Sequence, residues 1–137
     1  MENAPKTRIL IVEDNLDDVE LLMRQLKKAN LAEHVMVISD GRLALEFLTL
    51  SESEHLVALF LDLKLPSLDG LQLLAKIREH EKVQNLPVIV MTSSNSAEDL
   101  QKCKELRVLS YVQKPVTFEA FRKAVANTFH RTDSSAS

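Results

Sequence analysis

Apolar residues recur along this chain in two rhythms. Short runs rich in β-branched residues occupy Arg8 to Glu13, His34 to Ser39, Val57 to Asp62, Pro87 to Thr92 and Ser110 to Lys114. Within them "ILIV", "VALFL" and "VIVM" are almost continuously apolar, as expected of strands buried on both faces of a parallel sheet. Each run is followed by a segment of helical period. These segments predict helices over Asp17 to Lys28, Gly41 to Leu50, Leu71 to Glu79, Ala97 to Leu106 and Phe118 to Phe129. Leu71, Leu74 and Ile77 share one face of the third, and Phe118, Phe121 and Val125 one face of the fifth. Asn15, Asp40, Ser67 or Asp69, Ser96 and Thr117 are the candidate N-caps. Five alternations of strand and helix predict an α/β domain with a five-stranded, doubly wound parallel sheet and helices on both faces. The whole chain, 1–137, reads as one domain with its core over about 8–129 and frayed tails at 1–7 and 131–137.

Composition narrows the class. The chain has 137 residues, 45% hydrophobic and 27% charged, enough apolar material for one real core. Its net charge of -3 gives no general attraction to nucleic acid. No apolar run reaches membrane-spanning length, and "MENAPKTR" is unlike a signal peptide. Cys103 is the single cysteine, which leaves no intrachain disulfide. Together these features predict a cytoplasmic protein that binds neither nucleic acid nor membrane.

The chemistry should gather beyond the carboxyl ends of the strands. The first run ends at Glu13 and Asp14, the third at Asp62, the fourth at Thr92 and Ser93, and the fifth at Lys114 before Pro115. Each residue has an ordinary structural explanation. Acids are favoured at a helix start, Asp62 suits a turn, Thr92 suits a strand, and Lys-Pro ends one. Their coincidence at one mouth is what such explanations leave out. Carboxylates crowded together raise each other's pKa unless a cation intervenes. Mg²⁺, which binds through one or two carboxylates and several waters, would suit the acids. A metal and a lysine around one carboxylate would also suit a transferring phosphoryl group.

From Arg8 to Phe129 the chain resembles the receiver domains of two-component response regulators. "ILIVEDN" is similar to the family's acid pair, "LFLDLKLPSLDG" to its phosphoacceptor loop, "VIVMTSS" to its switch-hydroxyl strand and "YVQKP" to its lysine-proline motif. The resemblance implies the (βα)5 flavodoxin-like receiver fold. It implies that Asp62 accepts a phosphoryl group from a phosphohistidine of a sensor histidine kinase. Glu13, Asp14 and Asp62, with the backbone carbonyl of Lys64, would hold Mg²⁺. Thr92 would bond the phosphoryl group, Lys114 would pair with Asp62 and then with the phosphate, and Tyr111 would be the switch aromatic. A cis Lys114–Pro115 bond is also implied. "VEDN", "LDLKLPSLDG" and "MTSS" look most like the stand-alone regulators that serve bacterial phytochromes, although "TLSESEHL" is a short version of the insertion such regulators often have.

The expected function is therefore a single-domain phosphoacceptor switch, self-catalysed in phosphotransfer and dephosphorylation and not an enzyme acting on other substrates. With no output domain expected after Ser137, it would signal by protein contact or phosphorelay. A phosphorylation-independent adaptor would lack one of the retained site residues. A flavin or nucleotide site would want a small-residue phosphate loop where "EDNLDD" stands. An Asp-nucleophile phosphohydrolase usually carries an acid where Lys64 stands. Arg107, Val108 and Leu109 replace the small residues usual in receivers before the last strand. With Leu109 and Phe129 as its exposed anchors, the fifth strand and helix are the expected homodimer face.

Overall fold

The computed structural model describes residues 7–50 and 55–126. In it β1 (Ile9–Val12), β2 (Val35–Ile38), β3 (Ala58–Asp62), β4 (Val88–Thr92) and β5 (Ser110–Gln113) form one sheet in the order β2-β1-β3-β4-β5, with every pair parallel. The three apolar runs occupy the three inner positions, where every residue of β1, β3 and β4 is buried. The edge strands β2 and β5 are mostly half-buried. The expected doubly wound sheet is thus observed, and position within it follows the apolar continuity of each run.

Alternation along the strands divides the core in two. Leu10, Val12, Leu59, Leu61, Val88 and Val90 meet α2 (Gly41–Leu48), α3 (Gly70–Glu79) and α4 (Ala97–Glu105) through Ala44, Leu48, Leu73, Leu74, Ile77 and Cys103. Ile9, Ile11, Phe60, Ile89, Met91 and Val112 meet α1 (Leu16–Lys28) and a fifth helix, α5, which is described over 118–126. Phe121 lies at the centre of that second layer, with its ring centroid 6.0 Å from Phe60. Phe118 stacks on Phe121 but is only half-buried, so the expected stripe on α5 is fully buried at Phe121 and Val125 alone. Phe129, the two expected tails except Thr7, and residues 51–54 of the expected insertion lie outside the described residues.

The caps are the local reason that the helices start where they do. Asn15, Asp40, Ser96 and Thr117 each accept a backbone N–H of the following turn. For α3 the cap is Asp69, in a reciprocal capping box with Gln72. Ser67 is no cap: it takes a left-handed φ of 62° and donates its hydroxyl to Asp40 Oδ1 at 2.9 Å. That bond ties the loop after β3 to the start of α2.

Both glycines of the chain sit where backbone meets backbone. A Cβ on Gly70 would fall 2.4 Å from the carbonyl oxygen of Asp62, and one on Gly41 would fall 2.2 Å from that of Leu68. Only the missing side chain lets α3 seat against the end of β3. Arg78 on α3 performs a different task. Its guanidinium donates to the carbonyls of Gln84, Leu86, Leu106 and Arg107, gathering two loops on one side chain. Arg107 holds a φ of 61°, a conformation glycine adopts more readily, and its carbonyl is one of the groups so held. The sequence departure before β5 is therefore packed and bonded. Val108 packs on the core, and half-buried Leu109 donates its N–H to the Val88 carbonyl at 2.8 Å. Leu109 is not the exposed anchor expected of it. No helix among the described residues is long and apolar enough to cross a membrane.

Candidate functional site

Because all five strands run parallel, their carboxyl ends open on one side of the sheet. Glu13 follows β1, Asp62 ends β3, Thr92 ends β4 and Lys114 follows β5. Glu13, Asp62 and Thr92 are buried, at 1%, 4% and 0% exposure, whereas Asp14 is exposed. The polar groups expected at one mouth are brought together there.

Lys114 is the cation among them. Its Nζ donates to Glu13 Oε1 at 2.7 Å and to Asp18 Oδ2 at 2.7 Å, and lies 3.6 Å from Asp62 Oδ2. Burial pulls the ammonium toward deprotonation, but the hydrogen bonds to Asp18 and Glu13 and the charges of Glu13 and Asp62 outweigh it, and its pKa rises. For Glu13 the balance falls the other way. Burial pushes its carboxyl up to about 7, against the bonds from Lys114 and the Asn15 N–H that favour the anion. One lysine does not fully compensate the burial of Glu13.

The acid trio fits a hard divalent cation. Glu13, Asp14 and Asp62 each present a carboxylate oxygen within 4.8 Å of the others. Ligand oxygens on one octahedral Mg²⁺ lie at most about 4.2 Å apart, so small side-chain adjustments close the difference. Both oxygens of Glu13 already accept hydrogen bonds, from Lys114 and from Asn15 N–H. Asp62 Oδ1 accepts the Lys64 N–H at 3.2 Å, while among the described residues its Oδ2 has only the longer contact to Lys114. Asp14 and Asp62 therefore have the freer oxygens. The Lys64 side chain is exposed.

A line of bonds leads from this mouth to the edge of the sheet. Thr92 Oγ1 accepts the Ser94 N–H at 3.1 Å, and the Ser94 carbonyl accepts the Tyr111 hydroxyl at 3.1 Å. Ser94 Oγ donates to Asp99 on α4. The Thr92 carbonyl accepts the Lys114 N–H at 2.7 Å, and the Lys114–Pro115 bond is cis. Gln25, buried on α1, donates to the Val116 carbonyl and so braces the same turn.

Two participants do not stand out in the sequence. Asp18 is hidden there because it reads as an ordinary first-turn acid. Asn15 as cap, with the Asp18 N–H on its side chain, places that acid at the mouth one turn beyond Glu13. Ser94 acts through its backbone, which no residue type announces.

The chain is similar to known proteins in both sequence and structure. A family profile described as the response regulator receiver domain matches residues 9–126. The protein named "Probable methanogenesis regulatory protein FilR2" of Methanothrix harundinacea (strain 6Ac) is 35% identical over 120 residues, 85% of this chain and 77% of its own. The bacteriophytochrome response regulator AtBRR superposes with a TM-score of 0.75 at 39% identity, over 91% of this chain and 94% of its own. Response regulator Rcp1 of Synechocystis sp. (strain ATCC 27184 / PCC 6803 / Kazusa) is 32% identical over 117 residues, 82% of this chain and 80% of its own. Its Mn²⁺-bound form superposes with a TM-score of 0.74 at 30% identity, over 91% of this chain and 94% of that one.

Metal binding should be visible as stability. At Mg²⁺ about 100 times its dissociation constant, the fold should gain about 2.7 kcal/mol in thermal melts, and Asp14→Ala should lose most of that gain. The raised Glu13 pKa adds a pH signature. A buried acid whose folded pKa exceeds its ordinary 4.5 withdraws stability as pH rises from there through about 7. Metal-free protein should show that slope and Glu13→Gln should flatten it. Melting temperatures indifferent to Mg²⁺ in wild type would contradict the metal reading.

Proposed function

The chain belongs to the response regulator receiver domain family, and from that premise we propose that it is a phosphoacceptor switch working on Asp62. The observation that carries the reading is one buried carboxylate set between an acid pair suited to Mg²⁺ and a lysine 3.6 Å away. An Asp62 carboxylate oxygen attacks the phosphorus of a phosphohistidine on a sensor kinase. The new P–O bond forms as the P–N bond breaks, and the released imidazole takes up a proton to become neutral histidine. Glu13, Asp14 and Asp62, with the Lys64 carbonyl, would hold Mg²⁺, which when bound neutralises charge on the transferring oxygens. Lys114 supplies a second, fixed positive charge beside them.

The response follows from what the phosphoryl group asks of Thr92. To reach a phosphoryl oxygen on Asp62, the hydroxyl turns toward that residue, and as its oxygen moves the bond it accepts from Ser94 N–H weakens. Ser94 in turn holds the Tyr111 hydroxyl through its carbonyl. A local change at the mouth thereby loosens the ring at the sheet edge. Likeness to the bacteriophytochrome response regulator AtBRR supports a bacterial phytochrome-type kinase as the phosphoryl donor. Output then lies in a protein contact made by the α4 and β5 surface.

Acetyl phosphate with Mg²⁺ should label wild type and leave Asp62→Asn unlabelled but folded. Thr92→Ala should still accept phosphate and lose most of the change in Tyr111 emission, which no tryptophan obscures. Labelling of Asp62→Asn at the wild-type level would move the acceptor elsewhere.

The same reading includes a homodimer through β5 and α5. Its support is the open edge of β5, which among the described residues pairs with β4 alone, beside half-buried Tyr111. Sedimentation over a concentration series should show dimer forming by about 100 μM, where a micromolar equilibrium is mostly associated. A constant monomer across that range removes this part of the reading.

A further inference from the structure

Lys114 has three N–H donors. Two of them are engaged at 2.7 Å, on Glu13 and on Asp18. Asp62 Oδ2, at 3.6 Å, is within ion-pair distance but beyond a hydrogen bond. The lysine therefore leans toward α1 and away from the carboxylate it is meant to serve. Glu13 is fixed in place by burial and by the Asn15 N–H. Asp18 is different: one-third exposed, it belongs to a helix rather than to the sheet. It is also absent from the acid trio whose oxygens fit a cation. Among the described residues, the hydrogen bond of its side chain is to the lysine.

We propose that Asp18 is a positioning residue acting through Lys114: it holds the ammonium off Asp62 until a phosphoryl group arrives, and so limits how tightly the site grips that group. This inference rests on Asp62 being the acceptor. A phosphoryl group on Asp62 places new anionic oxygens beyond Oδ2. For Lys114 to donate to them it must leave, or share, the bond to Asp18. The Asp18 bond thus stabilises the unphosphorylated arrangement more than the phosphorylated one. An interaction that favours one of two states lowers the apparent affinity of any ligand selecting the other. Removing it should tighten the phosphorylated state without adding a contact to the phosphoryl group itself.

A general field effect would mimic this, because Asp18 is also one negative charge near an anion. Asp17 provides the control. It is its exposed neighbour in the same first helical turn and makes no bond to Lys114. Asp17→Asn removes the same charge and the same interaction with the helix dipole.

The test is binding of beryllofluoride, a mimic of the phosphoryl group, at saturating Mg²⁺. Bound fluoride is read directly by ¹⁹F NMR on wild type, Asp18→Asn, Asp18→Ala and Asp17→Asn. Circular dichroism establishes which variants are folded, and Asp18→Ala serves if the asparagine variant is not. Apparent affinity should rise about fivefold on loss of the Asp18 carboxylate, the low end for coupled sites. Asp17→Asn should stay within about twofold of wild type, and Mg²⁺ affinity should be alike in the two asparagine variants. Equal affinity in wild type and the Asp18 variants, or an equal rise in Asp17→Asn, overturns the proposal. If wild type itself binds no beryllofluoride, the acceptor reading has failed, and this inference falls with it for that separate and visible reason.

Discussion

Four parts of the fold meet at one ammonium group. Lys114 follows β5, Glu13 follows β1, Asp62 ends β3, and Asp18 comes from the first turn of α1. Glu13 and Asp62 are almost fully buried, and an ionised carboxylate taken out of water costs several kcal/mol unless it is paired and hydrogen-bonded. Lys114 supplies part of that compensation, beside the N–H groups of Asn15 and Lys64. It is insufficient by itself, since burial still pushes Glu13 up to about 7. A site held in that condition is short of positive charge. That shortage would be the physical basis for affinity toward the proposed divalent cation.

The surrounding fold is arranged so that this cluster can be both rigid and responsive. Its foundations are the three inner strands, buried from end to end. The loop after β3 is pinned by the close approach of Gly70 to the Asp62 carbonyl and by the Ser67 hydroxyl on Asp40. The loop after β4 is tied by a chain of hydrogen bonds, among them Ser94 Oγ to Asp99. Its connections to Thr92 and Tyr111 are single hydrogen bonds at 3.1 Å, each worth about 1 kcal/mol net. Rearranging such bonds would be within reach of the proposed phosphoryl group, which would bring about two negative charges and three acceptor oxygens. Moving an inner strand would not be.

Much of this architecture is legible in the amino-acid sequence. Continuous apolar runs mark inner strands because only residues buried on both faces can all be apolar, and "ILIV", "VALFL" and "VIVM" are β1, most of β3 and β4. Parallel topology then carries Glu13, Asp62, Thr92 and Lys114 to one mouth. The features that residue types leave hidden share one property: they depend on which groups actually bond. Asp18 and Asp17 are alike as letters, and only the helix phase set by Asn15 turns Asp18 onto Lys114. Ser94 matters through its amide and carbonyl. Ser67 and Asp69 are equal candidates for one cap by residue type, and the left-handed backbone of Ser67 separates them. Leu109 looks like a surface anchor because a loop leucine carries no periodicity to reveal its packing.

Lys114 and the buried acids form one interacting unit, and a double-mutant cycle measures that directly. Urea unfolding would be followed without Mg²⁺ at about pH 8, above the raised Glu13 pKa, for wild type, Glu13→Gln, Lys114→Met and the double variant. Removing one partner of a buried pair typically costs about 3 to 5 kcal/mol, because the other charge is left uncompensated. Lys114→Met should therefore be severely destabilised, and adding Glu13→Gln should restore part of the loss, with a coupling energy of about 2 kcal/mol. Single effects that add to within about 0.5 kcal/mol would show that the lysine and the buried glutamate do not stabilise one another, contradicting the account at its centre.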